Sequence, residues 1–258
     1  MGLTRRLLRA ELHCHSTASD GTLPPGELVS MALSKGLEAL AITDHDTTTS
    51  FEPACRAAAG CGLEILPALE INAEEAGQDV HILGYYVQPD QAALQEALAG
   101  LRQARVRRLG EILARLDELG VGVPRQRVLE LAGGDSVGRP HVARAMVEAG
   151  HAEDVAMAFD LYLGTAAPAF VPRRSLRPAQ AIHLIRQAGG VAILAHPGLL
   201  VEENRVRDLV AEGLQGLEVH HPIHSLQARQ RLQDLAHRLG LLVTGGSDYH
   251  GPDRHHSV

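Results

Sequence analysis

Short apolar runs alternate with longer amphipathic stretches along the chain, the pattern of parallel strands joined by crossover helices. Runs at residues 7–13, 39–43, 64–69, 80–87, 191–195, 216–219 and 241–244 are the seven candidate strands. Residues 24–35 open with prolines and close at Gly36, and residues 50–59 stop at Gly60, so both read as helices with recognisable ends. Residues 178–188, 203–212 and 225–239 supply the later crossovers. The alternation fails in the middle, where residues 90–119, 124–132, 139–149 and 153–163 read as consecutive helices, broken at Gly133-Gly134 and Gly164. The expected organisation is therefore a first barrel part at 1–88, a helical insertion that caps the substrate at 89–165, and a second barrel part at 166–258.

Composition narrows the class. A chain of 258 residues, 45% hydrophobic, is long enough for one large α/β barrel or two ordinary domains. No run of eighteen apolar residues occurs, and the basic start of the chain has no apolar segment behind it, so a soluble, unexported, cytoplasmic protein without membrane partners is expected. Cys14, Cys55 and Cys61 make no CxxC pair, which fits a reducing compartment. The formal charge of -7 argues against a surface that coats duplex nucleic acid. Lys35 is the only lysine among 24 basic residues, which biased genome composition explains. Fifteen histidines against three phenylalanines and no tryptophan is the anomaly, and it points to metal or proton chemistry.

The histidines sit where such chemistry needs them. His13 and His15 end the first apolar run, and the period of two puts both on one face of a strand with Cys14 on the other. Asp20 follows in Ser19-Asp20-Gly21. Thr43-Asp44-His45-Asp46 ends the second run, Glu70 the third and His196 the fifth, and Asp248 and His250 follow the last. At the C-terminal ends of parallel barrel strands these side chains converge. His81 is misplaced in this scheme, since it lies near the start of its run. Imidazoles and carboxylates together suit zinc, manganese or iron rather than calcium, and the chemistry they offer is attack on phosphorus or on an amide carbonyl.

His13-x-His15 with Asp20, Thr43-Asp44-His45, Glu70, Val80-His81-Ile82-Leu83-Gly84, Ala195-His196-Pro197 and Ser247-Asp248-Tyr249-His250-Gly251 resemble, in order, the motifs of the PHP (polymerase and histidinol phosphatase) family. The resemblance spans about residues 10–251. It implies a distorted (β/α)7 TIM-like barrel with two to three divalent ions, manganese first, iron or zinc as alternatives. It further implies that His13, His15, Glu70 and Asp248 hold one ion, Glu70, His81 and His196 a second, and Asp20, His45 and His250 a third. Asp20, His45, Glu70, Asp248 and His250 are also the expected catalytic set, through attack of a metal-bound hydroxide. Only eight residues follow His250, where members of the family continue, so a barrel-closing last helix is expected to be missing.

The helical insertion and Gly138-Arg139-Pro140-His141 resemble the branch that removes the 3'-phosphate of 3',5'-nucleoside bisphosphates and trims short RNA from its 5' end. A small nucleotide or short oligonucleotide is the expected substrate; histidinol phosphate or another phosphomonoester is the alternative. Arg102, Arg105 and Arg108 form one stripe on the insertion's first helix, with Arg107 beside it, and guanidinium forks suit phosphate. Against that stands a plain solvated helix face. Arg139, at a helix start between Gly138 and Pro140, is expected to bind substrate together with Arg105, Arg107, Arg108 and His141. His220, His221 and His224 lie near the mouth as minor candidates for proton transfer, while His151, His183 and His237 read as structural or solvent-facing and His255 and His256 as tail. Hydrolysis of a C–N bond would leave the arginines without a purpose. A non-catalytic metal-binding module would be expected to lack ligands, and here none of the nine positions is replaced.

Overall fold

The computed structural model describes residues 9–75, 78–133, 136–172, 175–198 and 202–252. Residues 7 and 8 of the first expected strand, Gly134, His255 and His256 lie outside them.

Among the described residues eight strands are present rather than seven, and they pair as two sheets rather than one closed barrel. The first sheet holds β1 (Ala10–Cys14), β2 (Ala39–Ile42) and β3 (Glu64–Leu66), all parallel. The second holds β4 (Ala68–Glu75), β5 (Gln78–Tyr85), β6 (Val191–Leu194), β7 (Gly216–His220) and β8 (Leu242–Gly245) in that order. The expected run at 64–69 is in fact the whole of one strand, β3, and the start of another, β4. Pro67, which has no N–H for a ladder, divides them. In β4 the positions Leu69, Ile71 and Ala73 face the apolar core, while Glu70 and Asn72 alternate with them, so the polar half hid the strand.

β5 runs antiparallel to both β4 and β6, against the expectation of parallel strands throughout. That reversal explains His81. The start of an antiparallel strand lies at the same end of the sheet as the C-terminal ends of its parallel neighbours.

The two sheets meet at that end through isolated parallel bridges, Cys14 with Tyr249 and His45 with Glu70. Four backbone hydrogen bonds lace them: His15 N–H to Tyr249 O (2.8 Å), Asp248 N–H to His13 O (2.8 Å), Asp46 N–H to Glu70 O (2.9 Å) and Glu70 N–H to Asp44 O (3.2 Å). Gly246 makes this seam possible, because a Cβ there would run into the backbone and Cβ of His13. Between the sheets lies an apolar plug of Ala39, Ala41, Leu66, Ala68, Leu83, Tyr85, Ile193 and Ala195. The polar cluster occupies the inward positions beyond it.

Helices cover the outside. α1 (Pro25–Ser34) and α2 (Phe51–Ala58) flank the first sheet and bury Leu28, Val29, Ala32 and Ala54 with Cys14, Leu40 and Ile42. α3 (Ala92–Glu118), α4 (Arg125–Ala132), α5 (Arg139–Glu148) and α6 (Val155–Ala158) follow β5, and a π-helical turn over Phe159–Leu163 ends the run. No strand intervenes there among the described residues. This run has an apolar core of its own around Ile112, Leu116, Val128, Val142, Met146 and Leu163. α7 (Pro178–Gln187), α8 (Glu203–Ala211) and α9 (Leu226–Leu239) pack on the second sheet. No helix of the described residues is long and apolar enough to cross a membrane.

α3 also corrects the solvated-face reading of its arginines. Its buried positions run Leu94, Leu98, Leu101, Arg105, Arg108, Ile112, Leu116, one stripe at helical spacing in which two arginines occupy core positions. Arg107 is exposed on another face. Arg105 donates through Nε (2.7 Å) and Nη2 (2.6 Å) to Asp46 Oδ2, and Arg102 Nη1 donates to Asp46 O (3.0 Å). Asp46 thereby ties the helical run to the residue next to His45. Asp46→Ala strips the buried guanidinium of its carboxylate and is expected to lower stability by about 3–5 kcal/mol. Combining it with Arg105→Met should recover much of the loss, which urea denaturation of both metal-free variants measures.

Candidate metal centre

β1 carries a register irregularity between Glu11 and Cys14, and this lets Leu12 join the apolar plug while His13 also turns inward. His13 and His15 are wholly buried, and Cys14 packs on the opposite side against α1 and β2. The motif after β2 divides its work. Thr43 Oγ1 donates to Cys14 O (3.2 Å), and Asp44 accepts from Ser16 N–H (2.8 Å), Ser16 Oγ (2.7 Å) and Ser19 Oγ (2.7 Å), which orders the loop that carries Asp20. His45 is then left to face the cluster.

Glu70 is the hub. Its Oε1 lies 2.9 Å from His81 Nδ1 and 3.3 Å from His196 Nε2, and its Oε2 lies 2.9 Å from His45 Nδ1, 3.4 Å from His15 Nε2 and 3.6 Å from His13 Nε2. Asp248 Oδ1 stands 3.1 Å from His15 Nε2 and 3.3 Å from His13 Nε2. Asp20 Oδ1 stands 3.3 Å from His250 Nε2 and 3.7 Å from His45 Nε2. All nine residues expected to be ligands thus come together. Groups whose donor atoms lie within 4.8 Å of one another include Glu70, His81 and His196; His15, Asp20, His45 and His250; His13, His15 and Glu70; and His13, His196 and Asp248.

The donor set fits divalent cations. His13 Nε2, both ring nitrogens of His15 and Glu70 Oε2 are buried without a hydrogen bond, a condition native interiors avoid unless something else satisfies the atoms. The electrostatics agree. Burial disfavours ionised Glu70, yet His81, His45 and His13 hold its carboxyl well below the usual range. Burial likewise opposes ionisation of Asp248, and His15 and His221 override it, so this carboxyl too is held well below normal. Burial, with His250 and His45 alongside, pushes His15 down to about 4, which leaves a neutral ring able to bind a cation. Residues chosen by the sequence for one centre therefore present lone pairs and negative charge to a common space.

Strain marks the same place. Among the described residues, four that are not glycine have positive φ, and three of them, Asp46 (55°), His196 (24°) and Asp248 (51°), border the cluster. Such backbones cost about 1–3 kcal/mol each and persist where surroundings enforce them.

Glu218 was not anticipated from sequence. It is fully buried on β7, 2.9 Å from His13 Nδ1. The signal was available, since it is the one charged residue in the apolar run Gly216-Leu217-Glu218-Val219. His221, anticipated only as a minor candidate, is buried with Nε2 3.6 Å from Asp248 Oδ2. His224 accepts from Gly198 N–H (3.0 Å) and donates to Val219 O (2.9 Å), a latch on the loop after His196, while His220 is exposed. His183 and His237 face solvent, and His151 bonds Gly122 O.

The expected substrate arginines adjoin the centre. Arg105, Arg108 and Arg139 line one pocket with Gly138 and Val142. Arg108 Nε donates to Val171 O (2.7 Å), Arg139 Nη1 donates to Leu163 O (3.0 Å), and the Arg139 guanidinium lies over the rings of Phe159 and Phe170. Arg139 Nη2 is 3.9 Å from Asp79 Oδ2, two residues before His81 on β5. His141 Nδ1 accepts the Gly138 N–H (3.0 Å) and so closes the start of α5, and Arg144, missed from sequence, donates to Asp20 O (2.9 Å).

Comparison with known proteins places this geometry. A family model described as PHP domain matches residues 11–147. A 3',5'-nucleoside bisphosphate phosphatase of Chromobacterium violaceum is 33% identical, over 94% of this chain and 87% of that one. A 5'-3' exoribonuclease of Haemophilus influenzae is 36% identical, over 94% and 90%. A crystal structure from Bifidobacterium adolescentis, assigned as a metal-dependent phosphoesterase, superposes with a TM-score of 0.90 at 34% identity, covering 96% of this chain and 90% of that one.

Bound cations should stabilise the fold by mass action. Manganese at about 100 times its Kd is expected to add about 2.7 kcal/mol over the chelated protein, read as a rise in melting temperature. Elemental analysis of the loaded protein should find more than one ion per chain, because nine ligand residues exceed what one ion uses.

Proposed function

The chain belongs to the PHP domain family, and from that premise we propose that it is a metal-dependent phosphoesterase that removes the 3'-phosphate of 3',5'-nucleoside bisphosphates and also trims short RNA from its 5' end. The observation that carries the reading is the buried cluster of histidines and carboxylates with unsatisfied donor atoms; near it, through Arg105 and Asp46, lies a narrow arginine-lined cleft of about 10 Å³, room for roughly one water as it stands. The relatives named as a bisphosphate phosphatase and an exoribonuclease support the substrate class.

In this reading His13, His15, Asp20, His45, Glu70, His81, His196, Asp248 and His250 would hold two to three ions, manganese first. When bound, such ions supply Lewis-acid neutralisation of phosphate charge and a lowered pKa for water. The protein's own part is to aim the ligands. Glu70 offers opposite oxygens to two groups of histidines, and Asp248 is held by its neighbours in the ionised form that binding requires. The two sheets, laced at the site end, then correspond to the distorted barrel of the family, and residues 89–165 form a cap over its mouth.

Arg139, Arg105 and Arg108 bind a second phosphate that is not the one cleaved. The start of α5 adds its partial positive charge. Arg105 is engaged with Asp46 through Nε and Nη2, and its Nη1 lies close to Gly138 at the start of α5. Burial pushes the Arg139 pKa down, with Asp79 opposing and Arg105 adding to the fall, so negative charge brought near this pair would favour the charged guanidinium. Arg107, exposed on another face of α3, does not line this cleft, and His141 acts by capping the start of α5. Binding energy from the remote phosphate positions the scissile one.

Phosphate release measured with manganese across phosphorylated metabolites should rank 3',5'-bisphosphates first; histidinol phosphate ranking first would replace them. His13→Ala and Asp248→Ala are each expected to abolish turnover with circular dichroism unchanged. Arg139→Ala should cost roughly 1.5–3 kcal/mol in kcat/KM on a bisphosphate, about tenfold to over a hundredfold, and little on a monophosphate. Equal losses on both substrates would contradict the two-phosphate reading.

A further inference from the structure

Glu218 lies on the inward face of β7 with no exposed surface, and each of its oxygens meets a different strand end. Oε1 is 2.9 Å from His13 Nδ1, and Oε2 accepts the backbone N–H of His196 at 2.8 Å. A carboxylate only accepts hydrogen bonds, so the ring nitrogen facing it must carry its proton. The other ring nitrogen, His13 Nε2, then faces two further carboxylate oxygens, Asp248 Oδ1 at 3.3 Å and Glu70 Oε2 at 3.6 Å, with no hydrogen bond among the described residues. Two carboxylates facing one ring nitrogen call for positive charge at that point, which a second ring proton supplies in the metal-free chain and a cation in the loaded one. The second contact acts on backbone. His196 has φ of 24°, a conformation that L residues resist, and its N–H is the group Glu218 grips.

We propose that Glu218 is the positioning residue of the metal centre. One side of its carboxylate fixes the tautomer and ring orientation of His13 from the first sheet. The other clamps the strained backbone of His196 in the second. It acts through these two ligands and holds no ion itself. An amide cannot take its place, because a glutamine has one accepting oxygen where two donors converge. Glu218→Gln keeps the shape and satisfies either His13 or His196, and its NH2 opposes the other donor. Glu218→Ala releases both.

The inference rests on the reading of the cluster as a divalent-metal centre. Zinc affinity of the full chain, measured by competition with a chelator, is expected to fall about 10- to 100-fold in Glu218→Gln and at least as far in Glu218→Ala. Circular dichroism of the metal-free variants controls for folding. In zinc-loaded wild-type protein carrying 15N-labelled histidine, His13 should show a protonated Nδ1 and a cation-bound Nε2, a readout that needs no variant and that a mere packing role would not set. A cation-bound Nδ1 would overturn the proposal, because Glu218 would then share an ion with His13 and His221. So would unchanged zinc affinity in a folded Glu218→Gln. A wild-type chain that takes up no zinc or manganese at all would instead remove the metal centre, and this inference with it.

Discussion

One buried carboxylate holds the site end of the molecule together. Glu70 is 1% exposed and touches His13 from β1, His15 just after it, His45 from the loop after β2, His81 from β5 and His196 just after β6. A lone carboxylate at that depth would cost several kcal/mol in lost hydration. The ring of imidazoles offsets part of this, as the depressed pKa of Glu70 records, but leaves donor atoms unsatisfied. Everything that brings the strand ends to Glu70 therefore serves one electrostatic problem, whose natural solution is a set of cations.

The scaffold spends stability to present that arrangement. Left-handed backbone at Asp46, His196 and Asp248 is each held by a hydrogen bond from a neighbouring strand end: Asp46 N–H to Glu70 O, His196 N–H to Glu218 and Asp248 N–H to His13 O. The helical run between β5 and β6 grips the same loops from outside, through Arg105 on Asp46 and Arg144 on Asp20 O. A residue that shapes the ligand loops is thus also one wall of the arginine pocket. Asp46 joins the two regions, being bonded to both Arg105 and the backbone of Asn72.

Much of this was legible in the chain itself. The helices fall within a few residues of their expected ranges, because prolines at their starts and glycines at their ends punctuate the sequence. The nine positions expected to be ligands form an ordered set of motifs in the sequence, and their side chains come together in space. β4 was hidden, since Pro67 and the alternation of Glu70 and Asn72 with apolar neighbours masked a strand whose polar half faces the cluster. The arginines of α3 were read as a stripe, but their partners were not, because Asp46 lies 59 residues from Arg105. Glu218 went unnoticed for the same reason, its partner His13 being 205 residues away.

The sequence by itself determined the ordered set of histidine and carboxylate motifs and most of the helices and strands, because residue type, apolar period and chain-breaking residues are local properties. Only the tertiary structure decided how they act. The antiparallel turn of β5 brought His81 to the site end, pairing into two laced sheets replaced a closed barrel, and burial turned Arg105 and Arg108 from a surface stripe into the wall of a pocket. Strand direction and charge pairing depend on which distant segments share a ladder or a desolvated space, and no local pattern encodes that choice.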